Sequence, residues 1–187
     1  MKVISGELKG RTIRGFNIDG TRPTMDRVKE SIFAMIQNYI TDSVVLDLFS
    51  GSGNLAIEAI SNGCKYAYMV DNNKKCIDTI NKNLKDFNIE DKSLVLYLDY
   101  KKALNHLKDN NIKVDIVFLD PPYKNENIPE IINFIINNKL INSNGLIVCE
   151  ITNRTLVKEF DCLPIIRDKK YGDKYVIIYK YEGDNNE

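Results

Sequence analysis

Val44-Val-Leu-Asp-Leu-Phe-Ser-Gly-Ser-Gly-Asn-Leu-Ala56 opens as an apolar run, passes two glycines and enters a helical pattern. The stretch predicts strand, tight turn and helix in that order. Gly51 and Gly53 let the backbone turn sharply and approach a ligand, while the first amides of the following helix point at it. Turns of this kind hold nucleotide-like ligands, and Ala56 stands where the Gly-x-Gly-x-x-Gly/Ala pattern accepts either small residue. Taken alone, the motif also suits a strand-to-helix turn that binds nothing.

On both sides of this stretch, apolar runs alternate with amphipathic ones. Strands are expected at 44–48, 66–71, 94–98, 114–119, 146–151, 162–168 and 174–181, and helices at 54–62, 73–88, 100–108 and 127–138. Ile77, Ile80, Leu84 and Phe87 recur at helical spacing, so one face of their helix is apolar. The alternation predicts an α/β fold, Rossmann-like and doubly wound, with a mainly parallel seven-stranded sheet. Only Lys169-Lys-Tyr-Gly-Asp173 separates the last two strands. No crossover helix fits there, so they are expected to close the sheet as an antiparallel hairpin.

Before the glycine turn, residues 2–5 and 11–14 read as a short hairpin carrying Lys9, Arg11 and Arg14. A helix is expected over 25–40, with Thr24 as its N-cap and Met25, Val28, Ile32, Met35, Ile36 and Tyr39 on its apolar face. The expected organisation is an N-terminal extension, 1–40, packed on a main domain, 41–187.

A chain of 187 residues with 43% hydrophobic and 28% charged residues fits one globular unit. No apolar run approaches the roughly 20 residues that span a bilayer, and the first residues lack the apolar core of a signal peptide. A cytoplasmic chain is expected. Cys64, Cys76, Cys149 and Cys162 form no Cys-x-x-Cys pair and His106 is the single histidine, which argues against a metal site and for reduced, structural cysteines. Positive and negative side chains balance at 26 each, but residues 1–30 hold seven basic against four acidic residues. The acidic end, 182–187, is expected to fray.

Four aspartates fall at expected strand ends, where open α/β sheets bind their ligands. Asp71, with Asn72 beside it, follows the glycine turn at the distance expected of a carboxylate that holds ribose hydroxyls. Asp99 suits an adenine amino group, with Tyr100 against the ring, and equally suits an N-cap. Asp47 suits bracing of the glycine loop, contact with the cationic end of a ligand, or a buried structural role. Asp120 leads Asp120-Pro-Pro-Tyr123, in which two prolines stiffen the turn. Acceptors on Asp120 and the Pro121 carbonyl can hold the N–H groups of a nucleobase amine, and Tyr123 offers a stacking face. Methyl transfer from a sulfonium needs alignment rather than a metal or a covalent intermediate, which agrees with a chain that shows no obvious nucleophile.

With these residues in place, the chain resembles the bacterial 16S ribosomal RNA guanine-N2 methyltransferases of the RsmD type. The resemblance covers nearly its full length. It rests on Ile4-Ser-Gly6, Lys9-Gly-Arg11, Thr21-Arg-Pro-Thr24, Asp26-Arg-Val-Lys-Glu30, Leu46-Asp-Leu-Phe-Ser-Gly-Ser-Gly53, Asp120-Pro-Pro-Tyr123 and Tyr171-Gly172. It implies S-adenosylmethionine as donor, no metal, and a guanine amine in small-subunit rRNA as acceptor, presented by an assembling or assembled subunit. By position it implies cofactor contacts at Asp47, Gly51, Gly53, Asp71, Asn72 and Asp99 and catalytic contacts at Asp120, Pro121 and Tyr123. It further implies phosphate contacts at Lys9, Arg11, Arg14 and Arg22, and a monomer. Two departures stand out: Ala56 replaces a frequent glycine, and Asp173-Lys-Tyr175 replaces a more usual small hydroxyl residue after Tyr-Gly. An adenine-N6 methyltransferase, a nicotinamide-dependent oxidoreductase and a non-catalytic ribosome-assembly protein remain open as alternatives. The oxidoreductase leaves Asp120-Pro-Pro-Tyr123 unexplained.

Overall fold

The computed structural model describes residues 1–15, 22–122 and 127–183, with the backbone alone at 22–25. The elements in order are α1 (Arg22–Ile40), β1 (Val44–Asp47), α2 (Asn54–Ser61), β2 (Tyr66–Asp71), α3 (Lys74–Phe87), β3 (Ser93–Tyr97), α4 (Tyr100–Asp109), β4 (Val114–Leu119), α5 (Ile128–Asn137), β5 (Ile141–Ile151), β6 (Ile165–Tyr171) and β7 (Lys174–Lys180). Seven strands form one sheet in the order β3-β2-β1-β4-β5-β7-β6. The first five are mutually parallel, and β7 runs antiparallel to both β5 and β6. This is a Rossmann-like, mainly parallel sheet, closed as expected by the antiparallel hairpin β6–β7.

Strand side chains alternate between two faces, and each face has its own core. Val45, Met69, Ile116, Phe118, Val148 and Ile178 pack with α1, α2 and α3 on one side; Leu46, Val70, Val117, Ile147, Cys149 and Ile177 pack with α4 and α5 on the other. The apolar stripe of α3 is buried at Ile77, Ile80, Leu84 and Phe87, each stabilising the fold by about 1.5–3 kcal/mol if fully removed from water. Phe33 of α1 meets Phe118 of β4 with ring centroids 5.8 Å apart.

The N-terminal segment joins the first of these cores through Val3 and Ile13. It is less regular than a hairpin: Lys2 and Thr12 form an isolated antiparallel bridge, supported by Val3 N–H donating to the Arg11 carbonyl at 2.9 Å. The segment also hydrogen-bonds to α2. Glu7 N–H donates to the Ser61 carbonyl (2.8 Å), and Leu8 N–H to Ser61 Oγ (2.9 Å). Gly6 has φ +77°, and a Cβ there would lie 1.8 Å from the Ser61 carbonyl oxygen, so only glycine fits.

Beneath this contact lies a buried ion pair. Lys29 Nζ of α1 lies 2.8 Å from Glu58 Oε2 of α2, at 2% and 0% side-chain exposure. Lys29 also donates to the Lys2 carbonyl (2.7 Å) and Asn54 Oδ1 (2.8 Å), using all three of its protons. Glu58 in turn accepts from the amides of Ile4 and Ser5 and from Ser5 Oγ.

Three elements differ from the sequence expectation by three or more residues at an end. α1 begins at Arg22 rather than Met25, with Pro23 in its first turn where the missing N–H costs nothing; Thr24 therefore lies inside the helix and is not its N-cap. β5 begins at Ile141 rather than 146, because Asn142 to Gly145 continue the strand. The register between β4 and β5 shifts between Val114 and Ile116 to accommodate it. β6 begins at Ile165 rather than 162.

Candidate active site

The parallel order reverses at β1, which lies between β2 and β4, so a crevice opens outside the carboxyl ends of β1 and β4. The glycine turn follows β1 and the Asp120 turn follows β4, placing the two sequence motifs on either side of it. Gly51 (φ +55°) and Gly53 (φ +80°) adopt the left-handed conformation, and Gly53 is the N-cap of α2 without any side-chain cap bond. Ser50 Oγ donates to the Asp47 carbonyl (2.9 Å) and accepts from Val70 N–H (3.1 Å), tying the turn to β2. Asn83 of α3 donates to the Ser52 carbonyl at 3.0 Å. Ala56 is fully buried, the close packing that the third fingerprint position requires.

Asp71, at the end of β2, accepts from Gly51 N–H at 2.9 Å and from Asn73 N–H at 2.8 Å. It thus braces the loop it was expected to face, while Asn72 is exposed beside it. Asp99 is the N-cap of α4, its Oδ1 accepting from Lys102 N–H at 3.1 Å. Of the two roles open to it, capping is the one engaged. Tyr100 packs on Phe49 at 5.7 Å between ring centroids, and its hydroxyl accepts from Asn127 Nδ2 (2.9 Å).

Asp47 is the most unusual group. Its side chain is buried and neither carboxylate oxygen has a well-formed hydrogen bond. Burial pushes its pKa up to about 7; the nearby amides of Ala56 and Phe49 and the Ser50 hydroxyl offset this only partly, and the charge of Asp71 adds to it. Asp120 is likewise raised, first by desolvation and then by the negative charge of Glu150. Lys174 acts in the opposite direction, and Asp47 adds a smaller upward push.

Glu150 and Lys174, which the sequence reading did not single out, adjoin Asp120 in the candidate site. The register continues Leu119↔Cys149 on β4–β5 and Ile151↔Tyr175 on β5–β7, which brings Glu150 beside Asp120 and Lys174 across from both. Glu150 and Lys174 form an ion pair at 12% and 15% side-chain exposure. With Asp120, Pro121, Pro122 and Thr152 they line a narrow cleft of about 30 Å³ that opens to solvent. The only sequence signal was the charged Asp173-Lys174 pair after Tyr171-Gly172.

The expected basic contacts lie elsewhere. The Arg11 guanidinium stacks on Phe87 at 4.4 Å and donates to the Asp86 carbonyl, while Arg14 Nε pairs with Asp86 Oδ2 at 2.7 Å with the Arg14 side chain 61% exposed. Lys9 is exposed in the N-terminal turn. Arg22 begins α1, away from the other three in sequence. Tyr123 and residues 184–187 of the acidic end lie outside the described residues. The four cysteines are free, and among the described residues no group of His, Cys, Asp and Glu could hold a metal ion. No helix among them is long and apolar enough to cross a membrane.

Comparison with known proteins agrees with this arrangement. The family described as conserved hypothetical protein 95 matches residues 1–180. YlbH of Bacillus subtilis, provisionally named an rRNA methyltransferase, is 38% identical over 98% of this chain and 100% of its own length. Ribosomal RNA small subunit methyltransferase D of Buchnera aphidicola is 38% identical over 79% of this chain and 76% of its own. The solved structure of Escherichia coli yhhF, provisionally a methyltransferase, superposes with a TM-score of 0.84 at 27% identity, covering 98% of this chain and 99% of that one.

Proposed function

The chain belongs to the conserved hypothetical protein 95 family, the RsmD-type class I methyltransferases, and on that basis we propose that it methylates the exocyclic N2 amine of a guanine in 16S rRNA, with S-adenosylmethionine as donor. The observation that carries this reading is the buried Asp47 carboxylate, without a well-formed hydrogen bond, beside the glycine turn. Such a group calls for a cation, and the donor is cationic at both its sulfonium and its amino group. S-adenosylmethionine supplies an electrophilic methyl that needs only an aligned nucleophile.

Gly51, Gly53 and Asp71 form the cradle for the donor, with Asn72 and Asp99 at its ribose and adenine end. Asp120 and the Pro121 carbonyl accept from the two N–H groups of the guanine amine, opposing delocalisation of its lone pair into the ring. The raised pKa of Asp120 also suits it to receive the proton the amine sheds after transfer. Tyr123 is assigned the stacking face on sequence grounds, and Lys9, Arg11, Arg14 and Arg22 the phosphate contacts. The substrate is the RNA within an assembling or assembled small subunit, and the enzyme acts as a monomer in the cytoplasm.

Methyl transfer from labelled donor to undermethylated small subunits, with nucleoside analysis, tests the proposal. N2-methylguanosine is expected with the wild type and none with Asp120→Ala. Methyladenosine instead overturns the base assignment; donor binding without transfer to any subunit or free RNA overturns the enzymatic reading in favour of an RNA-binding assembly protein.

A further inference from the structure

The acceptor cleft holds the ion pair of Glu150 and Lys174. A largely buried pair is seldom more stable than apolar residues of the same volume, and here Glu150 pushes the pKa of the neighbouring Asp120 up while Lys174 pushes it down. Its members reach the cleft from two strands, at the one place where the Asp120 turn, the end of β5 and the start of β7 converge.

Three side chains therefore face one cleft: Asp120, Glu150 and Lys174. With both acids ionised they offer two carboxylate acceptors and one ammonium donor. The Watson–Crick edge of guanine offers N2–H donors, an N1–H donor and the O6 acceptor, which is the complement. Adenine sets its N1 lone pair beside its amine, and that lone pair would face a carboxylate. We propose that Glu150 and Lys174 form a base-reading pair that selects guanine, Glu150 accepting from N1–H and Lys174 donating to O6, while Asp120 holds the amine that receives the methyl group. This rests on the guanine-N2 reading above and names how the site enforces it. Both are positioning residues: neither touches the reacting nitrogen. In the free enzyme they satisfy each other, and a base that satisfies them equally replaces that pairing without leaving a buried charge unpaired.

The test uses 2-aminopurine, which keeps the N2 amine but has an N1 lone pair and no O6. The methylated nucleotide is first mapped in small-subunit RNA, and subunits are reconstituted with guanine or 2-aminopurine at that position. A mapped adenine would overturn the guanine-N2 reading itself, before any rate is compared. Single-turnover rates are measured with saturating donor. The wild type is expected to favour guanine by at least about 100-fold, since a site built for hydrogen bonds rejects analogues that leave its polar groups unpaired. Glu150→Gln places an amide that can donate to N1 of the analogue, and should cut the preference to below about 10-fold with donor affinity unchanged. Lys174→Met should slow guanine transfer while leaving 2-aminopurine transfer within about threefold.

A wild type that uses both bases alike overturns the proposal. So does a Glu150→Gln variant that slows both bases equally, the behaviour of a merely structural pair. Should that variant be too slow to measure on either base, the Lys174→Met ratio decides, and an unchanged preference there overturns it.

Discussion

Two buried charge clusters sit in this small protein, and they are built to opposite rules. Around Lys29 and Glu58 every proton and acceptor is matched: an ammonium with three acceptors, and a carboxylate with an ammonium, two amides and a hydroxyl. Around Asp120 and Glu150 two carboxylates meet one ammonium, Lys174, and nearby Asp47 has no well-formed hydrogen bond. The first cluster binds α1, α2 and the N-terminal segment together. The second is short of positive charge at the place where a cationic donor belongs. Completeness marks structure here, and the deficit marks function.

The acids of the second cluster put this contrast to its hardest test. Asp120→Ala should lower methyl transfer by about 10³-fold or more while donor affinity, read by titration calorimetry, changes less than about threefold. Transfer that survives removes Asp120 from the reaction. In the first cluster, Lys29→Met leaves Glu58 buried without its counterion and should cost about 3–5 kcal/mol in urea unfolding. A loss below about 1 kcal/mol would mean that water enters the cluster and that it is less closed than its exposure indicates.

Asp47→Asn should act in the opposite direction. The folded pKa of Asp47, about 7, lies above the ordinary 3.8, so the folded state holds the proton more tightly and stability falls as pH rises from about 4 to 7. Above pH 7 the penalty is complete, and its removal should stabilise the variant at pH 8 by on the order of 2–4 kcal/mol while donor affinity drops. For the wild type, donor affinity should rise by at most about tenfold per pH unit below pH 7 and level off above it, because the cation requires the ionised carboxylate. A flat profile would separate Asp47 from the donor. The smallest effect belongs to the surface: Arg14→Ala breaks only an exposed pair with Asp86, so stability should barely change, whereas the salt dependence of RNA binding should weaken by about one counterion if Arg14 meets a phosphate.

What was legible in the sequence depends on the range of the interactions involved. β2 and β4 begin and end where the apolar runs do, because central parallel strands are buried on both faces and read as continuous hydrophobic segments. The glycine turn and the Asp120 turn were legible because local backbone geometry demands their glycines and prolines. Asn142 to Gly145 misled because turn-forming residues can be carried by a strand when its neighbour supplies the register. Asp99 carried two readings from the start, since an acid before a helix caps it whatever else it does. The pairings Lys29–Glu58 and Glu150–Lys174 were not legible in local sequence, although Lys174 stood in a segment already marked as a departure: the partners are distant in the chain and meet only through packing or an antiparallel register.

The position of β7 in the sheet also bears on timing. β7 lies between β5 and β6, so β6, although synthesised first, joins the sheet only through β7. The donor cradle draws on strands made early, while Lys174 arrives on a strand synthesised long afterwards. A nascent chain can therefore assemble the donor half while the wall facing the RNA base is still missing. Any enzyme still on the ribosome that made it is unready to modify one.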